Sequence, residues 1–106
     1  MSKEFKIINA KLKNFVLGYN EIVSYDPSIK FENFNNISTD SRDINKNDLF
    51  IALNGDNFKG HEFVPDVIKK GASFFVTEEA TKQPKQILVK STLNFIQDFA
   101  TYILND

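Results

Sequence analysis

Apolar residues recur along this chain in two rhythms, and the switch between them outlines the fold. Leu12, Phe15 and Val16 stand at helical spacing with Gly18 behind them, which predicts a short helix from about Asn9 to Leu17. Upstream, Phe5, Ile7 and Ile8 could instead begin a strand. Glu21–Tyr25 reads as a short strand closed by the turn-forming Asp26-Pro27-Ser28. Lys30–Phe34 is extended or irregular, with turn chemistry in Asn33, Asn35 and Asn36. Ile37–Asp40 is the next strand, and Asp43–Asp48 a polar turn that reverses the chain. Leu49–Leu53 is a continuous apolar run, as expected of a strand buried on both faces, and Asn54-Gly55 ends it sharply.

In the second half the rhythm alternates regularly. His61–Lys70 predicts a helix whose apolar face is Phe63, Val64, Val67 and Ile68. Pro65 is tolerated only in a first turn, so the helix should start close to Glu62–Val64. Gly71 suits the left-handed residue beyond its end, and Lys69 and Lys70 suit its negative pole. Ser73–Thr77 is a buried strand, Glu78–Lys85 a charged loop with Pro84, and Gln86–Val89 a further short strand. Ser91 is placed to cap a last helix over about Thr92–Leu104, with Leu93, Ile96, Phe99, Ala100 and Ile103 on one side. This order predicts an α/β fold: a small sheet, at least partly parallel, with flanking helices.

Size and charge narrow the classes. With 106 residues the chain has room for a single domain, 1–106, around one core. Eleven phenylalanines and no tryptophan point first to packing, since a buried Phe needs no hydrogen-bond partner. Net charge is −1, from 13 basic and 14 acidic side chains scattered among each other, so no nucleic-acid partner is expected. The absence of cysteine excludes disulfides and thiolate metal sites. The N-terminus carries no apolar signal segment, and no apolar run approaches the roughly 18 residues that span a bilayer. A cytoplasmic location is the expectation.

Three of the four glycines lie between Gly55 and Gly71, beside polar loops that follow the two central strands. The first loop carries Asp40, Ser41 and Arg42, and the second runs from Asn54 to His61. Such loops are where α/β domains place ligands. Ser41 lacks the Gly-x-Ser-x-Gly setting of a nucleophile and serves better as a hydrogen-bonding group at a strand end. Arg42 can pair with Asp40 or with an anionic ligand. Asp40, Asp43, Asp48 and Asp56 match no calcium loop and read as turn and cap residues. His61 has no second histidine with which to build a triad or metal site. It reads as a helix-start residue bonded to the preceding loop, or alternatively as part of a ligand loop. Phe58 either folds back onto the core or offers its ring to a planar ligand. Neither a Gly-x-x-x-x-Gly-Lys-Ser/Thr loop nor a Gly-x-Gly-x-x-Gly after a strand exists, so the residues describe a binding domain without a catalytic site of its own.

Ile37-Ser-Thr-Asp-Ser-Arg-Asp-Ile, then Asp48-Leu-Phe-Ile-Ala-Leu-Asn-Gly-Asp-Asn-Phe-Lys-Gly-His-Glu-Phe, then Ile68-Lys-Lys-Gly-Ala, together resemble the N-terminal domain of the Mur ligases. The resemblance runs from about Phe34 to Val76. Ala52-Leu53-Asn54-Gly55 is more like the member that adds D-alanyl-D-alanine (MurF), with the member that adds the third stem-peptide residue (MurE) second. By this resemblance the domain holds the uridine-diphosphate end of UDP-N-acetylmuramoyl-peptide in peptidoglycan biosynthesis, and so serves cell shape and division. It implies that Thr39, Ser41, Asp56, Asn57 and Phe58 face the UDP moiety, and that Asp40, Arg42, Asn54, Gly55, Gly60 and His61 shape the loops. Lys59 replaces the family's usual aspartate. Asn stands near position 47 where a hairpin glycine is usual, and Asn tolerates the left-handed conformation.

The resemblance further implies a parent ligase that uses ATP and Mg²⁺ to activate a carboxylate as an acyl phosphate before an amine displaces phosphate. Those sites belong to a central domain, toward which residues 91–106 would lead. This chain alone is expected to carry no cofactor, no metal and no ligase activity. The alternatives are the N-terminal domain of the ligase adding the third stem residue, and a stand-alone protein-interaction module with the same fold.

Overall fold

A five-stranded sheet in the order β1-β5-β4-β3-β2 divides the molecule into two apolar layers. The computed structural model describes residues 3–57 and 59–105. Its elements are α1 (Lys3–Gly18), β1 (Ile22–Tyr25), β2 (Ile37–Ser38), β3 (Leu49–Ile51), α2 (Val64–Lys69), β4 (Phe74–Thr77), β5 (Gln86–Val89) and α3 (Thr92–Leu104), with 3-10 turns at Ser41–Asp43 and Gly60–Phe63. β2, β3, β4 and β5 run parallel, while β1 pairs antiparallel with β5. The expected partly parallel sheet with flanking helices is therefore present.

Alternation along the strands sorts the core. Leu49 and Ile51, Phe74 and Val76, and Ile87 and Val89 face the larger layer. There they meet Leu12, Phe15 and Val16 of α1, Phe95 and Phe99 of α3, and Phe31 and Phe34 of the β1–β2 connection. Phe50, Ala52 and Phe75 face the other side, under Val64 and Val67 of α2 and Ile44. Burial on both faces explains why β3 and β4 read as unbroken apolar runs. The phenylalanine excess is packing: Phe34 and Phe31 both meet the Phe74 ring edge-on, at centroid distances of 5.6 and 5.7 Å.

Several expectations shift. α1 begins at Lys3, so Phe5, Ile7 and Ile8 belong to a helix and not to a strand. Ile8 extends the stripe of Leu12 and Val16 and packs against the larger layer. Asn9, buried on the same helix, donates from Nδ2 to the Glu32 carbonyl at 2.8 Å and so pins the irregular connection beneath the sheet. β2 stops at Ser38, because the Ser38 hydroxyl engages the Asp40 backbone and turns the chain out of the strand. The polar turn does reverse the chain, but β2 and β3 form no hairpin. Residues 39–48 first run back along the sheet, and the two strands pair in parallel, Ile37 opposite Leu49.

The second helix follows its prediction closely, with Pro65 in the first turn and Gly71 at φ +98° beyond its end. Asn47 adopts φ +68°, the left-handed conformation that Asn tolerates. α3 spans Thr92–Leu104 with Ser91 as its cap: Ser91 Oγ accepts the Asn94 N–H at 3.0 Å. Its buried face is Thr92, Phe95 and Phe99, flanked by Ile96 and Ile103. Leu93 and Ala100 lie exposed, because the helix turns Phe95 and Phe99 toward Phe15 of α1. Among the described residues no helix is long and apolar enough to cross a membrane.

Candidate functional site

A cleft of about 520 Å³ opens beyond the C-terminal ends of β2 and β3, on the α2 side of the sheet. It is lined by Thr39, Asp40, Ser41 and Arg42 on one side and by Phe50, Leu53, Gly60 and Phe63 on the other. Parallel strands leave their connecting loops at this end, which is why ligands of α/β sheets gather there. The volume falls in the range of small-molecule sites, which run from about 300 to 1,000 Å³.

The polar wall is built locally. Asp40 caps the 3-10 turn, its Oδ1 accepting the Arg42 N–H at 2.9 Å. The Arg42 guanidinium then forks onto the same carboxylate, Nε to Oδ1 and Nη2 to Oδ2, both at 3.0 Å. That side-chain hydrogen bond holds the Asp40 carboxyl below the usual carboxylate range and raises the Arg42 guanidinium. The Arg42 side chain is 88% exposed, so water screens the pair and its worth lies in shape more than in stability. Lys70, from the end of α2, donates to the Ser41 carbonyl at 2.8 Å and ties the turn to the helix layer.

The apolar wall depends on one close approach. A Cβ built on Gly60 would lie 2.4 Å from the Leu53 carbonyl oxygen and 2.7 Å from the Ala52 carbonyl carbon. Only glycine lets the second 3-10 turn sit against the end of β3. Asn54 reinforces the approach by accepting the Gly60 N–H on Oδ1 at 2.9 Å. The resulting site has hydroxyls, a carboxylate and a cation on one edge, and two aromatic rings and a leucine on the other. Such a surface suits a flat ring with polar edges.

Thr39, Asp40, Ser41, Arg42 and Gly60 are brought together around this cleft. Asn54, Gly55, Asp56 and Asn57 stand exposed in the loop beside it, outside its lining. Phe58 lies outside the described residues. His61 is half-buried and lies outside the cleft lining. It stands at the start of the second 3-10 turn, and among the described residues its buried Nδ1 has no partner. Asp40 is the cap it was expected to be, and Asp48 closes its own turn by accepting the Asn45 N–H at 2.9 Å. Phe50, Leu53 and Phe63 are lining residues that the motif reading passed over. Phe50 lies on the α2 face of β3, but an unbroken apolar run does not reveal which alternate residue faces the site.

The chain has relatives among known proteins. A family model described as "Mur ligase family, catalytic domain" matches residues 33–102. A UDP-N-acetylmuramoyl-tripeptide–D-alanyl-D-alanine ligase of Synechocystis sp. is 40% identical over 70 residues, 62% of this chain and 15% of that protein. A UDP-N-acetylmuramoyl-L-alanyl-D-glutamate–2,6-diaminopimelate ligase of Clostridioides difficile is 37% identical over 84 residues, 77% of this chain and 17% of that protein. The crystal structure of MurF ligase from Thermotoga maritima in complex with ADP superposes with a TM-score of 0.58 at 26% identity, covering 61% of this chain and 16% of that one. The chain thus spans about a sixth of the length of these relatives.

Proposed function

This chain belongs to the Mur ligase family, and on that premise we propose that its cleft holds the uridine-diphosphate end of a UDP-N-acetylmuramoyl-peptide. The observation that carries the reading is the convergence of Thr39 and Ser41 with Phe50, Leu53 and Phe63 beyond the ends of β2 and β3. The hydroxyls supply donors and acceptors for the edge of a pyrimidine, and the apolar wall takes its face. Asp56 and Asn57, in the loop beside the opening, reach the nucleotide as it enters. Asp40, Arg42 and Gly60 hold the walls in shape.

The domain's task is to grip the nucleotide handle, so that binding energy far from the reacting carboxylate positions it. ATP does not fit the residues of this chain. The sequence has no phosphate-binding Gly-Lys-Ser/Thr loop. ATP and Mg²⁺ belong to other domains of the parent ligase, and the 106-residue chain alone is inactive. The parent adds D-alanyl-D-alanine to the tripeptide, as the name of the Synechocystis relative says of that protein. A second reading, the ligase adding the third stem residue, is favoured by one observation. The match to the diaminopimelate ligase extends over more of this chain, 77% against 62%.

Titration of the chain with UMP or UDP, followed by amide chemical shifts, tests the proposal. Shifts should move at 39–42, 56–58 and Gly60. Unchanged shifts there at millimolar nucleotide would overturn it.

A further inference from the structure

The loop after β3 is closed by a single primary amide, and that amide is itself held from behind. Asn54 Oδ1 accepts the Gly60 N–H at 2.9 Å, bridging the loop. At the other end of the same group, Nδ2 donates to Glu78 Oε2 at 3.1 Å. Glu78 follows the last residue of β4, and the same oxygen accepts the Thr92 hydroxyl at 3.0 Å. Thr92 is the first residue of α3 and is buried. One carboxylate oxygen therefore joins the cleft loop, the end of a central strand and the first turn of the last helix.

Chemistry gives this chain of bonds a direction. A primary amide can turn over about its last torsion and exchange its oxygen for its nitrogen. Facing the Gly60 N–H, only the oxygen serves. An ionised carboxylate accepts and cannot donate, so Glu78 selects the orientation in which Nδ2 faces it and Oδ1 faces Gly60. Thr92, fixed by burial in the core, keeps the carboxylate in place. Gly60 in turn forms part of the cleft wall, where its backbone already touches the end of β3.

We propose that Glu78 is a positioning residue for the nucleotide cleft, acting through the Asn54 amide on the backbone of Gly60. It lies outside the cleft lining and needs no contact with the ligand. The inference rests on the nucleotide-binding reading for its functional consequence, but the bond relay can be judged without ligand.

The test reverses the polarity of the relay. Asn54→Asp keeps an acceptor for Gly60 but sets one carboxylate against another. Adding Glu78→Gln supplies a donor in return. In the 106-residue chain, hydrogen exchange at the Gly60 amide and the dissociation constant for UDP are read side by side. Glu78→Ala and Asn54→Asp should each speed Gly60 exchange and weaken UDP about threefold to tenfold, the range spanned by one net hydrogen bond. Glu78→Gln alone retains an acceptor and should behave as the unaltered chain. The pair Asn54→Asp with Glu78→Gln should return both readouts to within about twofold of it, a non-additivity expected of directly bonded groups. Gly60 exchange unchanged in Glu78→Ala, or a double variant no better than Asn54→Asp, overturns the relay. If the unaltered chain fails to bind UDP, the nucleotide reading falls, and Gly60 exchange alone still decides the relay.

Discussion

Gly60 shows how much of the site hangs on one missing atom. Its φ is ordinary, and what demands glycine is the backbone of Ala52 and Leu53 pressed against the place a side chain would take. Gly60→Ala should therefore cost about 1–3 kcal/mol, the usual penalty of overpacking, because the obstructing atoms are main chain and cannot rotate away. Urea denaturation measures the loss, and the same variant should bind UDP more weakly than its stability alone accounts for. The motif announced this glycine, as it announced Asp40 and Arg42, because each acts on neighbours close in sequence. His61 is the contrary case. As the one histidine of the chain it draws attention, yet the burial of its Nδ1, which has no partner among the described residues, depends on packing that no neighbouring residue signals.

At the scale of elements, local chemistry predicted ends better than faces. Ser91 before an apolar run, Pro65 in a first turn and Gly71 after a last one each act through the backbone within a few residues, and each stands where expected. The face of α3 did not follow in the same way, since its rotation is set by Phe15 across the helix interface. A second device joins β1 to the β4–β5 loop. The Asp26 carboxylate accepts the backbone N–H of Lys85 at 2.8 Å and of Ser28 at 2.9 Å, together with the Ser28 hydroxyl at 2.7 Å. Lys85 itself sits at φ +69°. These bonds, that from Lys85 first, lower the Asp26 carboxyl to about 2 from an ordinary 3.8. A depressed carboxyl binds its proton more readily when the chain is unfolded. Its contribution is thus complete above the ordinary value and disappears as pH falls through the folded one. The melting temperature should drop between pH 3.8 and about 2, and Asp26→Ala should flatten that part of the profile while lowering the plateau above it.

Across the whole molecule the larger apolar layer carries the fold. It brings α1, α3 and the irregular connection onto one face of the sheet, around Phe34 and Phe74. Tyr19 borders this layer, and its hydroxyl donates to Asp98 of α3; burial first, and then that carboxylate, push the phenol's pKa up and keep it protonated. Phe74 is 1% exposed on a central strand, so Phe74→Ala should cost about 3–5 kcal/mol. That is a large share of the roughly 5–15 kcal/mol by which domains are stable. Calorimetry should find the variant barely folded at 37 °C, while Leu93→Ala, on the exposed side of α3, should melt almost with the unaltered chain.

By itself the sequence determined what is decided within a few residues. It placed the Ser91 cap, the left-handed Gly71 and the buried central strands. Those features are legible because torsions, local hydrogen bonds and hydrophobic periodicity act over one or two turns. The tertiary structure decided which strands are neighbours: Ile37 beside Leu49 in parallel, and Ile22 against Val89 at the far edge. It also joined Phe50, Leu53 and Phe63 to the polar loop as one cleft. Backbone groups pair alike whatever side chains they carry, so strand order and the shared wall of the cleft emerge only when distant apolar faces are buried together.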